Sequence, residues 1–141
     1  MRHASFKVYN CYRYKFLFYA HIIILKIILK IINESFSHPT AYDIYIECRK
    51  NIPNISLGTV YRNLNLLVSE FKIKRLKMPD NVDRFDKMLK HSHFVCIKCY
   101  KVIDVFSNYL ENIDSIDNNK VLDCEITFKG ICSDCKERKD K

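Results

Sequence analysis

The chain has 141 residues, which is enough for one medium domain or two small ones. Apolar residues make up 48% and charged residues 28%, a balance that fits a folded protein and excludes a disordered one. The formal net charge of +8 is unevenly placed: residues 1–90 contain 16 Lys and Arg and 7 Asp and Glu, whereas residues 91–141 contain 8 and 9. This asymmetry predicts an N-terminal part that binds a polyanion. A lysine-rich solvated surface would give the same count.

The first predicted element is a helix within residues 16–32, "FLFYAHIIILKIILKII". A membrane-spanning helix needs about 20 apolar residues, but Lys26 and Lys30 interrupt this run and lie opposite a wide Ile/Leu stripe. No small-residue cleavage site follows the run, as a signal peptide would require. We therefore predict an amphipathic helix packed on a core, and no association with a membrane.

Two short helices are predicted next. The first begins near Thr40, a capping residue with Asp43 three positions on, and ends before Pro53. The second begins at Ser56 and repeats apolar residues at helical spacing, namely Val60, Leu64, Leu67 and Val68. Two short helices with a tight connection after an earlier helix form a helix-turn-helix, whose second helix enters a DNA major groove.

A basic hairpin is predicted directly after these helices. "KIKRLKM" and "NVDRFDK" flank the turn sequence Pro79-Asp80-Asn81, which is good turn chemistry. A hairpin that follows a recognition helix is a wing, and this one carries four basic residues that would meet phosphates: Lys72, Lys74, Arg75 and Lys77.

From residue 91 onward the apolar period becomes mainly two. "HSHFVC" and "KVIDVF" are predicted as strands joined by a Cys-x-x-Cys turn. Residues 107–119 are predicted as a helix capped by Ser107, with Leu110, Ile113 and Ile116 as its apolar face. Residues 120–130 are predicted as a further strand, and the tail holds a second Cys-x-x-Cys.

Four of the seven cysteines predict a structural zinc site. Cys96-x-x-Cys99 and Cys132-x-x-Cys135 each direct two sulfurs at one point, and together they supply a closed tetrahedral shell. A thiol-disulfide oxidoreductase needs only one such pair, normally at a strand-to-helix junction, and this setting is absent from the predicted pattern. An odd cysteine count argues against a secreted disulfide framework and favours a reduced, cytoplasmic compartment.

His91 and His93 predict a second, different site. Residues two apart in a strand project from the same face, whereas Cys96 projects toward the turn. Imidazole and carboxylate suit Mn, Fe or Zn better than a sulfur cage does, and Asp86, Asp104 and His38 are nearby candidates. Two exposed strand histidines would be the simpler interpretation.

Six short motifs of the sequence, taken together, resemble those of a known family. "HPTAYDIY", "NISLGTVYRNLNLLV", "DRFD", "HSHFVCIKC", "VID" and "GICSDC" are similar, in order and spacing, to the ferric uptake regulator (Fur) superfamily of metal-dependent bacterial repressors. The resemblance implies an α+β fold: a winged helix-turn-helix DNA-binding domain over residues 1–87 and a small α/β metal-binding dimerisation domain over residues 88–141. It also implies structural Zn2+ on the four cysteines named above, and a regulatory site on His38, Asp86, His91, His93 and Asp104.

The two aspartates of that set resemble the peroxide-sensing PerR branch, since iron sensors of the superfamily more often have glutamates there. The branch implies that Fe2+ or Mn2+ favours DNA binding by a homodimer, and that peroxide oxidises ligating histidines, here His38 and His91, in the Fe2+ form. The expected partner is double-stranded DNA with an AT-rich inverted repeat, and no enzymatic turnover is expected. The expected DNA contacts are Ser56, Gly58, Thr59, Tyr61, Arg62, Lys74 and Arg75.

Three alternatives stay open. The chain could be an iron- or zinc-responsive regulator without peroxide chemistry, a thiol-disulfide oxidoreductase, or a zinc protein anchored to a membrane by residues 16–32. The sequence also departs from the family pattern. Tyr100 replaces a usual glycine, "SEFKI" replaces a glycine-containing turn, and the usual Thr-x-Gln-Arg segment before the first helix is absent.

Overall fold

The computed structural model describes residues 4–106, 113–122 and 124–137, with side chains described from Tyr19 onward. The chain forms two compact units. The N-terminal unit contains the residues up to 75 together with 85–87, and the C-terminal unit contains residues 76–84 and those from 88 onward. The predicted boundary between residues 87 and 88 remains a prediction.

The predicted first helix is present and longer than expected. Helix α1 spans Ala4–Glu34, and its Ile28 and Ile32 are buried in the core of the N-terminal unit. Lys26 and Lys30 are exposed, as the amphipathic pattern predicts. Among the described residues, no helix is both long enough and apolar enough to cross a membrane.

Helices α2 (Ala41–Arg49) and α3 (Leu57–Ser69) confirm the helix-turn-helix. The Thr40 hydroxyl accepts a hydrogen bond from the Asp43 N–H at 3.2 Å, and the Asp43 carboxylate accepts one from the Thr40 N–H at 2.9 Å. This reciprocal capping box fixes where α2 begins. Ser56 caps α3 by accepting from the Thr59 N–H at 3.1 Å.

The wing consists of strands β1 (Ile73–Leu76) and β2 (Arg84–Lys87), each shorter than its predicted segment. Ile73 and Phe85 are buried with the helices of the N-terminal unit in one apolar core, whose other fully buried members are Ile28, Ile32, Ala41, Ile44, Cys48, Ile55, Val60, Leu64 and Leu67. The same interdigitated side chains therefore hold the helices and anchor the wing.

A three-stranded sheet organises the C-terminal unit. Its central strand β3 (Ser92–Cys96) pairs antiparallel with β4 (Val102–Val105), as predicted for the strands on either side of the first Cys-x-x-Cys turn. Strands β5 (Ser115–Ile116) and β6 (Asn119–Lys120) form a separate hairpin. Strand β7 (Thr127–Gly130) pairs parallel with β3, and helix α4 (Ser133–Glu137) follows it.

The predicted helix over residues 107–119 is wrong where the structure describes it. Residues 107–112 lie outside the described part of the chain, but Ser115 to Lys120 form the β5–β6 hairpin. Asp117 and Asn118 at its tip have φ of 48° and 65°, values that suit the two-residue turns that close hairpins. The helical spacing of Ile113 and Ile116 was coincidental, since Ile116 is exposed.

The strand predicted over residues 120–130 is also too long. Lys120 belongs to the β5–β6 hairpin, β7 begins only at Thr127, and Leu122, expected to face a core, is 87% exposed. The predicted segment is therefore divided between two different sheets.

Helix α3 ends in a left-handed residue that is not glycine. Phe71 has a φ of 54°, and the Lys72 N–H donates to the Leu67 carbonyl while the Phe71 N–H donates to that of Val68. This is the Schellman pattern, whose left-handed position is usually glycine. The Phe71 side chain is 78% exposed, so little packing offsets the backbone strain.

We expect Phe71→Gly to be more stable than Phe71→Ala by about 1 kcal/mol, because both remove the exposed ring but only glycine adopts a positive φ without steric cost. Urea unfolding of the two variants, compared at equal m-values, measures the difference. An alanine variant as stable as the glycine variant would contradict this account of the helix end.

Candidate metal centres and nucleic-acid interface

The four cysteines of the two Cys-x-x-Cys pairs form one cluster in the C-terminal unit. The Sγ atoms of Cys96, Cys99, Cys132 and Cys135 all lie within 4.8 Å of one another, and three of these residues are buried. The Cys99 and Cys132 sulfurs are 3.7 Å apart. A tetrahedral zinc with Zn–S bonds of about 2.3 Å would hold its sulfurs about 3.8 Å apart, so the geometry fits the ion.

The sheet brings the two pairs together. Cys96 ends β3 and stands beside Gly130, the last residue of β7, and the Ile97 N–H donates to the Gly130 carbonyl at 2.8 Å. A Cβ on Gly130 would lie 2.9 Å from the Phe94 ring, so a side chain at this position would force that ring to shift. An ion pair of 3.0 Å between Lys101 and Asp134 links the start of β4 to α4.

Hydrogen bonds shift the thiol pKa values of two of the four cysteines in opposite directions. The Cys132 N–H donates to the Cys96 Sγ at 3.4 Å, and together with the Cys99 N–H it lowers the pKa of the Cys96 thiol to about 6. Hydrogen bonding to Cys99 and burial raise the pKa of Cys135 to about 12. Four adjacent thiols do not all ionise without a cation, and a thiolate-binding ion such as Zn2+ supplies that charge.

Tyr100 occupies a strained position in the first Cys-x-x-Cys turn. It has a φ of 59°, in the left-handed region that favours glycine, and its N–H closes the turn by donating to the Cys96 carbonyl at 3.0 Å. Its side chain packs on the buried cluster of Leu76, Met78 and Val95. This packing opposes the backbone strain of the turn.

A second group of donors lies on the neighbouring strands of the same unit. His91 Nε2 is 3.3 Å from the Asp104 Oδ1, and His93 Nε2 is 3.8 Å from the same oxygen. The two imidazole rings are 4.5 Å apart, edge to face, and both side chains are buried. The two imidazoles lie together, as predicted, although β3 begins at Ser92 and His91 directly precedes it. The alternative of exposed strand histidines is wrong.

A third group lies in the N-terminal unit. His38 Nε2 is 3.8 Å from the Asp86 Oδ2, and both side chains are buried. The Phe85 N–H donates to the Pro39 carbonyl at 2.9 Å, which fixes β2 against the turn before α2. His38 has a φ of 51°, and such strain at a polar buried residue is typical of a functional position. Nitrogen and oxygen donors of this kind suit Mn2+ or Fe2+.

The start of α3 presents an ordered polar surface. The Ser56 and Thr59 hydroxyls are 2.8 Å apart, and the Arg62 guanidinium donates to the Thr59 Oγ1 at 3.3 Å. Tyr61 and Arg62 are exposed, and a Cβ added to Gly58 would have only the Ser56 hydroxyl nearby, at 3.9 Å. These features suit the approach of a helix to a DNA groove.

The two wing residues expected to contact DNA, Lys74 and Arg75, differ in their surroundings. Lys74 is half-buried on β1. The Arg75 guanidinium donates to the side-chain Oδ1 of Asn65 in α3 and lies 5.7 Å from the centre of the Phe85 ring. Arg75 therefore links the recognition helix to the wing, a role that sequence reasoning missed because Asn65 and Phe85 are distant in sequence.

The comparisons with known proteins agree with this arrangement. The model of the "Ferric uptake regulator family" matches residues 25–128. The chain is 34% identical to the peroxide-responsive repressor PerR of Staphylococcus epidermidis, over 78% of this chain and 77% of that protein. It is 33% identical to the ferric uptake regulation protein of Bacillus subtilis, over 70% and 72%.

A solved structure supports the same assignment. The Campylobacter jejuni peroxide stress regulator superposes with a TM-score of 0.76 at 27% identity, over 89% of this chain and 98% of that chain. The chain belongs to the ferric uptake regulator family. Its fold is the α+β fold of that family, with the expected cysteine cluster, and the proteins of the family are regulatory, DNA-binding, dimeric repressors.

Cys96→Ser is expected to reduce the zinc content of the purified reduced protein from about one ion per chain to near zero, because a closed site loses one of four thiolates. Atomic emission after dialysis measures the content. The matched control is Cys124→Ser, which removes an exposed thiol outside the cluster and should leave zinc unchanged. Equal zinc loss in both variants would contradict the assignment.

Proposed function

We propose that the chain is a metal-dependent transcriptional repressor that responds to peroxide and acts as a cytoplasmic homodimer on double-stranded DNA. The observation that carries the proposal is the buried pair of His91 and His93 within 3.8 Å of Asp104. Relatives described as peroxide-responsive repressors support it, as does the aspartate, rather than glutamate, at positions 86 and 104. Four closely spaced thiols favour a reducing compartment.

The regulatory ion would be held by five side chains: His38, Asp86, His91, His93 and Asp104. His38 and Asp86 form one pair of donors, and His91, His93 and Asp104 form a group of three. Each set taken alone offers fewer donors than Mn2+ or Fe2+ normally accepts. An ion that takes ligands from both groups would stabilise one arrangement of the recognition helix α3 relative to the rest of the dimer. A bound ion would supply positive charge to the buried Asp86 carboxylate and to the partly buried Asp104 carboxylate.

Such an ion acts by differential affinity. A two-state protein shifts from about 1:99 to 99:1 only if its ligand favours one state by about 5.5 kcal/mol. The favoured state would space two recognition helices to match two half-sites of an AT-rich inverted repeat. Ser56, Gly58, Thr59, Tyr61, Arg62, Lys74 and Arg75 remain the proposed DNA contacts, with Arg75 acting also through Asn65.

Peroxide would end repression by modifying ligands. In the net reaction one oxygen atom of peroxide is added to a ring carbon of His38 or His91, and the other leaves as water. An oxidised imidazole no longer donates the same nitrogen lone pair, so the ion is lost. Each chain would react once, which makes it a sensor and not an enzyme.

An iron-responsive regulator without peroxide chemistry is the second candidate. It is favoured by the 33% identity to the Bacillus subtilis ferric uptake regulation protein. A thiol-disulfide oxidoreductase is disfavoured, because all four cysteines of the two pairs converge on one point rather than presenting one exposed dithiol.

The metal dependence is tested by an anaerobic DNA-binding titration with Mn2+ or Fe2+, followed by peroxide. We expect both ions to promote binding and peroxide to release only the Fe2+ form, with mass spectrometry detecting one added oxygen on His38 or His91. The Mn2+ form is the control for general oxidative damage. Equal peroxide resistance of both forms would favour the second candidate, and binding without either ion would contradict the proposal.

Arg62→Ala is expected to weaken DNA binding by about 1–3 kcal/mol and to leave the free energy of unfolding unchanged, because Arg62 is exposed on α3. Lys129→Ala, which removes one exposed positive charge in the C-terminal unit, is the control and should bind DNA like the wild type. Arg75→Ala should weaken binding and also lower the free energy of unfolding. Fluorescence anisotropy and urea unfolding measure the two effects, and Arg62→Ala binding DNA as tightly as the wild type would count against α3 as the reading helix.

A further inference from the structure

Phe106 lies directly against a proposed metal ligand. Its ring centre is 5.5 Å from that of His91, within the range of aromatic contacts, and the two planes are tilted by 31°. His93 contacts the His91 ring from another direction, at 4.5 Å and 68°. The His91 imidazole, whose side chain has no solvent exposure, is therefore enclosed by two other rings.

The register of the sheet explains this contact. In the antiparallel pairing of β3 and β4, Ser92 stands opposite Val105 and His93 opposite Asp104. One step beyond the ladder, Phe106 is the cross-strand neighbour of His91. Asp104 and Phe106 are two residues apart, so both side chains project toward the face that carries the histidines.

The Phe106 side chain is 71% exposed in the single chain, so burial of its ring contributes little hydrophobic stabilisation there. The face that is not exposed covers His91. In the orientation that the imidazole adopts beside this ring, its Nε2 lies 3.3 Å from the Asp104 Oδ1.

We propose that Phe106 is a positioning residue for the regulatory metal site: it holds the His91 imidazole in the orientation in which Nε2 binds the ion. The inference rests on the proposed function, since it requires His91 to be a ligand. Partners that orient a ligating histidine are usually hydrogen-bond acceptors. In this protein we assign that orienting role to the aromatic ring of Phe106.

The test is Phe106→Ala in the zinc-loaded full chain, with the Mn2+ dissociation constant measured from the electron paramagnetic resonance of free Mn2+. We expect binding to be about 10-fold weaker than in the wild type, the effect typical of removing a partner that orients a ligand. Phe106→Tyr retains the ring and should restore the affinity. Leu122→Ala, which removes another large side chain that is 87% exposed, should bind Mn2+ like the wild type.

A second readout needs no regulatory metal. In the zinc-loaded protein, the ring current of Phe106 should displace the NMR resonance of a His91 ring proton. The His91→Gln variant identifies that resonance. Phe106→Leu, which retains apolar volume but not the aromatic ring, should abolish the displacement. Unaltered zinc content and melting temperature exclude general unfolding as the cause.

The outcomes separate the two proposals. A wild-type protein that binds no Mn2+ besides its zinc would overturn the proposed function. A wild type that binds Mn2+ together with a Phe106→Ala variant of equal affinity would overturn only the inference about Phe106. An unchanged His91 resonance in Phe106→Leu would overturn the inference as well.

Discussion

The chemistry of the C-terminal unit depends on the register of β3. Antiparallel pairing places His93 opposite Asp104, and parallel pairing places Cys96 beside Gly130. The same five-residue strand thus carries an imidazole group on one face and ends in the cysteine cluster. A shift of one residue would turn both histidines to the opposite face and separate Cys96 from the second pair. A zinc ion on the four thiolates would lock this register, because it ties the ends of β3 and β7 to one point.

Backbone strain occurs near some of these positions. Among the described residues, His38, Phe71 and Tyr100 have positive φ at the turn before α2, at the end of the recognition helix and in the zinc turn, whereas Asn81, Asp117 and Asn118 have it in hairpin turns. Each such residue costs about 1 kcal/mol or more. Burial beside Asp86 holds His38, and packing on an apolar cluster holds Tyr100. Phe71 has no comparable packing, since its side chain is largely exposed. Phe71 and Tyr100 therefore occupy left-handed turn positions that suit glycine better.

Local signals made much of this fold predictable. The caps at Thr40 and Ser56 and the apolar spacing behind them specify α2 and α3 within a few residues. The spacing of the two Cys-x-x-Cys pairs is also a local signal, and it predicted the cysteine cluster. What could not be predicted depends on partners distant in sequence. The contact of Arg75 with Asn65 requires the wing to fold back on α3, and the place of Phe106 beside His91 requires the register of a sheet. The hairpin at residues 115–120 was mistaken for a helix because two isoleucines share helical spacing while Asp117 and Asn118 carry the stronger turn signal.

We propose that three imidazoles and two carboxylates hold one ion that is separate from the zinc. X-ray absorption at the manganese edge of the zinc-loaded, Mn2+-loaded chain tests this site directly. We expect a first shell of nitrogen and oxygen only, with the scattering of three imidazoles, reduced to two by His38→Ala. Sulfur in the manganese shell, or a shell unchanged by His38→Ala, would contradict it.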